Sequence, residues 1–167
     1  MQRVPSLVTI VAERDSASLG GIVVGFGLDA QQTGGVCSTL ELLVEPRQLA
    51  TPHLHTREDE FLYVIDGSVG VRVGDDEFEL PAGASIFKPR GIAHTYWNAS
   101  DERAKLLMGM VPGGWEGFFR ELGQLRIDEG EAAAGKTPAL GERYGASFRM
   151  DWVADLENRH DVRLRGR

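Results

Sequence analysis

The chain has 167 residues, of which 42% are hydrophobic, and a formal net charge of −7. This length fits one domain with its own core, and the acidic balance argues against nucleic acid or an anionic membrane as a partner. The single cysteine, Cys37, excludes an internal disulfide and favours the cytoplasm. The N-terminal apolar run is too short for a signal peptide, and no segment is long enough to span a bilayer.

The first two thirds of the chain has the pattern of many short strands separated by glycine, proline and aspartate turns. In chain order the predicted strands are Ser6 to Glu13, Ile22 to Phe26, Val36 to Val44, His53 to His55, Glu60 to Ile65, Val69 to Val73, Glu77 to Leu80, Ser85 to Lys88, a strand through His94 and Tyr96, and Ala104 to Val111. Such a series predicts an antiparallel sandwich or barrel. Glu60 to Ile65 is apolar on both faces after its first residue. One face should meet the barrel interior, and the other a second chain, the N-terminal strand or the C-terminal helices.

From Pro112 onward the apolar residues follow a helical period. The first predicted helix carries its apolar residues on one face: Trp115, Phe118, Phe119, Leu122 and Leu125. The sequence then predicts a loop from Asp128 to Gly135, a second helix capped by Thr137 with Pro138 at its first position, and a third from Trp152 to His160, capped by Asp151. These segments have too little apolar surface for a separate core. We therefore expect residues 1–111 to form a β-barrel and residues 112–167 to be a helical extension of the same domain.

Three of the four histidines fall between Pro52 and Asn98. His53 and His55 share one face of a strand because they are two residues apart, Glu60 follows after a polar turn, and His94 comes later. Three imidazoles and a carboxylate make a complete set of protein ligands for one divalent transition metal. Without a thiolate, the set suits Fe(II), Mn(II), Ni(II), Co(II) or Zn(II). His160, in the basic tail, is interpreted as a surface residue.

The two blocks that carry these residues read His-x-His-x4-Glu-x6-Gly, ending at Gly67, and Gly-x5-Pro-x-Gly-x2-His-x3-Asn, starting at Gly83. Together they resemble the two signature motifs of the cupin superfamily. One position departs from the pattern, because Arg47 stands where the family usually has a glycine. The flanking segments are more weakly similar to small bacterial single-domain cupins of the quercetin 2,3-dioxygenase-like type. The resemblance implies an all-β fold, an antiparallel jelly-roll barrel, with His53, His55, Glu60 and His94 as the metal ligands.

Four side chains are candidates for an apolar substrate pocket: Tyr63, Phe87, Tyr96 and Met108. For any single one of them, ordinary core packing is the favoured interpretation. Tyr96 is the strongest candidate because it shares a strand face with His94. In quercetinase-like cupins the residue equivalent to Glu60 is thought to take a proton from the substrate, so the resemblance makes Glu60 the candidate catalytic residue.

The resemblance implies a metal-dependent dioxygenase that takes O2 and a small aromatic or enolisable substrate such as a flavonol. Two alternatives stay open: a metal-dependent isomerase or cyclase, in which the metal is only a Lewis acid, and a cupin that binds a small molecule without catalysis. We also expect a homodimer, from the two apolar faces of Glu60 to Ile65 and the aromatic first helix. That helix should pack on the barrel wall, and the segments through Trp152 and Leu156 should lie across the barrel mouth or the partner.

Overall fold

The computed structural model describes residues 15–165, so the predicted strand Ser6 to Glu13 lies outside the described residues. The strands are β1 Ser16–Ser18, β2 Ile22–Phe26, β3 Ser38–Val44, β4 Gln48–Leu49, β5 His53–His55, β6 Asp59–Asp66, β7 Ser68–Val73, β8 Asp76–Pro81, β9 Ser85–Lys88, β10 His94–Asn98, β11 Ala104–Val111 and β12 Ala146–Phe148. The helices are α1 Ala30–Thr33, α2 Glu116–Glu129, α3 Ala133–Arg143 and α4 Val153–His160. Within residues 15–165, no helix is both long and apolar enough to cross a membrane.

Two antiparallel sheets face each other and enclose the core. The first has the order β1-β2-β3-β11-β6-β9, and the second has the order β12-β5-β10-β7-β8, with β4 paired to β10. Each sheet turns its apolar face inward. In strand β3, for example, Leu40, Leu42 and Val44 are fully buried, whereas the residues between them are partly exposed. Burying one such side chain contributes about 1.5–3 kcal/mol. The predicted all-β jelly-roll barrel with a C-terminal helical region is confirmed.

Strand β10 is buried along its whole length. Its inner face gives His94 and Tyr96 to the barrel interior, and its outer face gives Trp97 to a second hydrophobic cluster that includes Trp152 and Leu156. Helix α4 and the turn before it therefore cover the outer face of the second sheet. The expectation that these segments lie across the barrel mouth is wrong, because Trp97 already offers them an apolar surface on the sheet.

Helix α2 instead joins the barrel interior. Trp115, Phe118 and Leu122 belong to the same cluster as the inward-facing residues of both sheets. The Glu116 carboxylate accepts hydrogen bonds from the backbone N–H of Ala30, at 2.7 Å, and of Gly114, at 2.8 Å. The bond to Ala30 fixes the start of α2 against the first residue of α1.

The connection after α2 differs from the sequence prediction. Helix α2 runs to Glu129, a 3₁₀ turn covers Gly130–Ala132, and α3 starts at Ala133, so that Pro138 lies inside a helix. The alanines of this stretch favour helix, and burial of Ala133 and Leu140 stabilises it against the break that proline favours. A turn at Gly145, whose φ is +76°, then leads into β12, a strand that the sequence analysis did not include.

The turn before the histidines contains the residue that departs from the family pattern. Arg47 has φ +58°, in the left-handed region that favours glycine. Its guanidinium donates to Asp101 Oδ1 at 2.6 and 3.2 Å, and its carbonyl accepts from the Arg163 N–H at 2.8 Å. Arg47 thus adopts the left-handed backbone conformation that a glycine would adopt at this turn. The contacts with Asp101 and Arg163 help to stabilise it.

Candidate metal centre

The structure brings the four predicted ligands together inside the barrel. Strand β5 supplies His53 and His55, β6 supplies Glu60 and β10 supplies His94, which is paired in register with His53. One ligand atom from each residue lies within 4.8 Å of the others, and all four residues are buried. Two sheets therefore contribute to one point in the core.

The histidine rings are oriented by backbone carbonyls. Nδ1 of His53 lies 2.7 Å from the Thr51 carbonyl oxygen, and Nδ1 of His94 lies 3.0 Å from that of Ile92. A carbonyl only accepts, so each Nδ1 carries the proton and donates it, which leaves the Nε2 lone pair free. The Nε2 atoms of His53 and His55 are 3.1 Å apart, and Nε2 of His94 is 3.2 Å from Glu60 Oε2. Such converging acceptors repel each other unless a cation lies between them.

Glu60 has a second buried partner, Lys88. The Lys88 ammonium donates a hydrogen bond to Oε1 of Glu60, and both side chains are fully buried. Burial alone would raise the pKa of Glu60, but the positive charge of Lys88 holds that pKa well below its usual value. Glu60 is thus an ionised carboxylate that offers its other oxygen, Oε2, to the histidines.

The same burial keeps the imidazoles of His53 and His94 neutral. It lowers the pKa of His53 well below the usual value, with further lowering from His55 and His94. Burial, followed by the charge of Lys88, also lowers the pKa of His94. Neutral imidazoles and an ionised carboxylate are the protonation states that ligate metals. The donor set therefore fits a divalent transition metal, with Fe, Mn, Ni, Co and Zn all compatible.

A small cavity lies beside this cluster. It encloses about 80 Å³, is lined by His53, Tyr96 and Met108, and is closed on the helix side by Trp115 and Phe118. A second cavity of about 200 Å³ continues outward. The two share six lining residues: Thr51, Arg126, Thr137, Phe148, Leu164 and Arg165. The space beside the histidines thus continues between α3 and the C-terminal segment.

Two of the predicted pocket residues lie elsewhere. Tyr63 is 41% exposed and Phe87 is 59% exposed, both on the outer face of the first sheet. The alternation of β6 explains this, because Glu60 points inward and Tyr63, three residues later, must point outward. Phe87 pairs with Phe61, which shares the outer face with Tyr63. The prediction of Tyr63 and Phe87 as pocket residues is corrected accordingly, whereas Tyr96 and Met108 do line the cavity.

Two residues at the site, Lys88 and Trp115, were not among the predicted site residues. Lys88 could have been found by alternation, since it shares a strand face with Ile86 and a buried lysine requires a partner. The Trp115 ring makes an edge contact with His55, at 4.2 Å between ring centroids, and lies parallel to His53 at 6.0 Å. Its helical periodicity indicated packing but gave no sign of these contacts. His160, the fourth histidine, is far from the cluster and stacks on Trp97 at 4.3 Å.

Comparison with known proteins agrees with the fold of the barrel. Residues 40–110 match the family model described as Cupin domain. The tetracenomycin polyketide synthase protein TcmJ of Streptomyces glaucescens is 32% identical over 80 residues, covering 48% of this chain and 52% of that protein. The polyketide synthase CurC of Streptomyces cyaneus is 27% identical over 70 residues, covering 42% and 46%. The matched part of the chain spans about half the length of these curated relatives.

Among solved structures, KdgF from Halomonas sp. superimposes with a TM-score of 0.55 at 17% identity, covering 61% of this chain and 89% of that one. At this identity the likeness concerns the fold alone. Together with the family model matched over residues 40–110, it shows a cupin-type fold for the barrel.

Proposed function

We propose that this chain is a metal-dependent enzyme of the cupin superfamily that acts on a compact, enolisable carbonyl compound. The observation that carries the proposal is the convergence of three imidazole nitrogens and Glu60 Oε2 within 4.8 Å, beside an apolar cavity. A divalent cation held by His53, His55, Glu60 and His94 would supply Lewis acidity toward a substrate oxygen. The similarity to polyketide synthase proteins supports a substrate rich in carbonyl groups.

The protein's own residues have defined parts in this proposal. Lys88 holds one oxygen of Glu60, so the carboxylate has a fixed orientation and a single free oxygen. Tyr96 and Met108 provide apolar walls for the substrate skeleton. Trp115 and Phe118 stack at 4.3 Å between ring centroids and exclude bulk water from the histidine side of the cavity. In a site without bulk water, electrostatic interactions with a polarised carbonyl are stronger.

The size of the cavity bears on the choice of substrate. At about 80 Å³, it is well below the roughly 300–1,000 Å³ of typical sites for drug-sized ligands. A flavonol would need the outer cavity as well, with movement of α3 or the C-terminal segment. A compact diketone or hydroxyketone needs much less rearrangement, and this favours the isomerase or cyclase alternative.

Oxygenation of an electron-rich substrate is the second candidate. The aromatic cover formed by Trp115 and Phe118 favours it, because exclusion of water protects reactive intermediates. Glu60 could then take the substrate proton only if its carboxylate left the cation, since the pKa of Glu60 is held low.

The two candidates differ in whether O2 is consumed. The probe is 2′-hydroxyacetophenone, a compact hydroxyketone, given to protein loaded separately with Fe(II), Mn(II), Ni(II), Co(II) or Zn(II). Carbonyl polarisation predicts that loaded wild-type protein accelerates exchange of the methyl protons in D2O, followed by NMR, and that H55A does not. Oxygenation predicts O2 uptake at an electrode. Absence of stoichiometric metal in the wild type, or neither response with any metal, would contradict the proposal.

A further inference from the structure

One of the three histidines lacks the orienting contact that the other two have. His53 and His94 each direct Nδ1 at a backbone carbonyl. His55 presents Nε2 to the cluster, 3.3 Å from Glu60 Oε2, yet its Nδ1 is buried without a hydrogen-bond partner among the described residues. A ligating imidazole almost always donates its other N–H to an acceptor, which fixes its tautomer and raises its basicity.

The nearest acidic group to that nitrogen is the Glu58 carboxylate. Oε2 of Glu58 lies 3.8 Å from Nδ1 of His55, too far for a hydrogen bond and close enough to form one after a shift of about 1 Å. Glu58 is only 5% exposed, and this same Oε2 has no hydrogen-bond partner within residues 15–165. A buried donor and a buried acceptor, both unsatisfied, thus face each other.

No contact with Oε2 of Glu58 among the described residues accounts for a buried carboxylate at this position. Leaving a buried polar group unpaired is unfavourable, and Glu58 lies in the polar turn between β5 and β6, where an exposed side chain would avoid that penalty. Its neighbour Asp59 forms a bidentate pair with Arg90. Glu58 is instead directed inward at a histidine.

We propose that Glu58 is the positioning residue for His55. When Nε2 of His55 binds the metal, Nδ1 carries the proton and donates it to Glu58 Oε2, so all three histidines are then held by an acceptor behind the ring. The inference rests on the proposed metal centre and adds a residue that touches neither metal nor substrate. Glu58 acts by holding the imidazole in the Nδ1–H tautomer and in the orientation that ligation needs.

Metal affinity provides the first test, measured with Zn(II) against a competing chromophoric chelator. E58A should bind Zn(II) about 10–100-fold more weakly than the wild type. E58Q should stay within a few-fold, because its amide oxygen still accepts the hydrogen bond. D59N is the matched control, since it removes a negative charge from the adjacent residue, the first of β6, whose carboxylate pairs with Arg90 and not with a histidine.

Proton NMR of the Co(II)-loaded protein provides a readout that a purely structural role would not change. Each ligating histidine gives a hyperfine-shifted, exchangeable N–H resonance. We expect three slowly exchanging resonances in the wild type, E58Q and D59N, and loss or fast exchange of one of them in E58A.

The outcomes separate this inference from the proposed centre. Wild-type protein that binds no stoichiometric metal would overturn both. Wild-type protein that binds metal, with E58A equal to it in affinity and in its three N–H resonances, would overturn only the role of Glu58. Equal weakening in E58A, E58Q and D59N would assign the effect to charge and would also overturn the hydrogen bond. Thermal unfolding of the metal-free variants identifies any loss of folding.

Discussion

At the residue scale, the candidate centre depends on where protons are held. The carbonyls of Thr51 and Ile92 hold protons on the outer nitrogens of two histidines, and Lys88 keeps Glu60 ionised. The inner atoms of His53, His94 and Glu60 therefore offer lone pairs before any metal binds. The His-x-His spacing and alternation were enough to predict which residues are brought together. The protonation of the site depends on Lys88 and on carbonyls that only the fold brings near.

Lys88 offers a test of this charge balance. In the metal-free protein, K88M leaves the Glu60 carboxylate buried and unpaired, which should cost about 3–5 kcal/mol of unfolding free energy. A bound cation would take over the pairing, so the cost should shrink when Zn(II) is added. Urea unfolding with and without Zn(II) measures both values. K105M is the control, because Lys105 pairs with Glu41 at the surface; an undiminished cost for K88M in Zn(II) would contradict ligation by Glu60.

Arg47 offers a test of backbone strain. A non-glycine residue in the left-handed region is disfavoured by roughly 1 kcal/mol or more, and Arg47 has φ +58°. R47G and R47A both lose the ion pair with Asp101, but only R47G relieves the strain. Denaturant unfolding should therefore show R47G to be about 1 kcal/mol more stable than R47A. Equal stability of the two variants would show that the turn is not strained.

At the element scale, local patterns predicted most elements and failed where tertiary contacts decide. Pro138 indicated a helix start, but it lies within α3 because the helix buries Ala133 and Leu140 on either side of it. Strand β12 has only three residues and exists because it pairs with β5. The segment from Glu60 to Ile65 is apolar on both faces, so its composition makes Tyr63 a pocket candidate. Alternation from the ligand candidate Glu60 places Tyr63 on the outer face, where it lies.

Helix α4 is attached to β8 through a charged contact that should respond to pH. Arg159 donates two hydrogen bonds to the Glu77 carboxylate, at 2.6 and 3.0 Å, and this lowers the pKa of Glu77 below its usual 4.5. A lowered folded-state pKa means that the contribution is fully present above about pH 4.5 and is lost as the pH falls through the folded value. Glu77 is partly exposed, so we expect no more than about 1 kcal/mol.

The measurement is urea unfolding of the wild type and E77Q at pH 7 and at progressively lower pH. The stability difference should be largest at pH 7 and should shrink in acid. E79Q, on the same strand, is the control for a general charge effect. A difference between wild type and E77Q that is constant with pH would argue against the ion pair.

At the scale of the whole molecule, the outer face of the first sheet is the prominent unpaired surface of the described residues. Tyr63, Ile65 and Phe87 are exposed there side by side, on and next to β6. An exposed apolar patch on a sheet commonly marks a protein interface. This surface is consistent with the expected homodimer, with the partner covering the face that the chain leaves open.

Light scattering tests the dimer. The wild type should show twice the chain mass at micromolar concentration, and F87E should shift the protein towards monomer because it buries a charge in the interface. I127E is the matched control, since Ile127 is an equally apolar, 78% exposed residue on α2, beside β1 at the opposite edge of the sheet from β9. A monomeric wild type, or an equal effect of both variants, would contradict an interface at this face.

The complete burial of β10 has a consequence for how the protein exchanges with its surroundings. His94 lies on a strand covered on both faces, so its amide should exchange with solvent only through global unfolding. His53 and His55 lie on β5, which is three residues long and is flanked by the three-residue β12. This edge of the second sheet, formed by β5 and β12, should open first, because its local unfolding requires far less free energy than global unfolding. Metal ions would then enter and leave by transient separation of β5 and β12, while Glu60 and His94 stay in place.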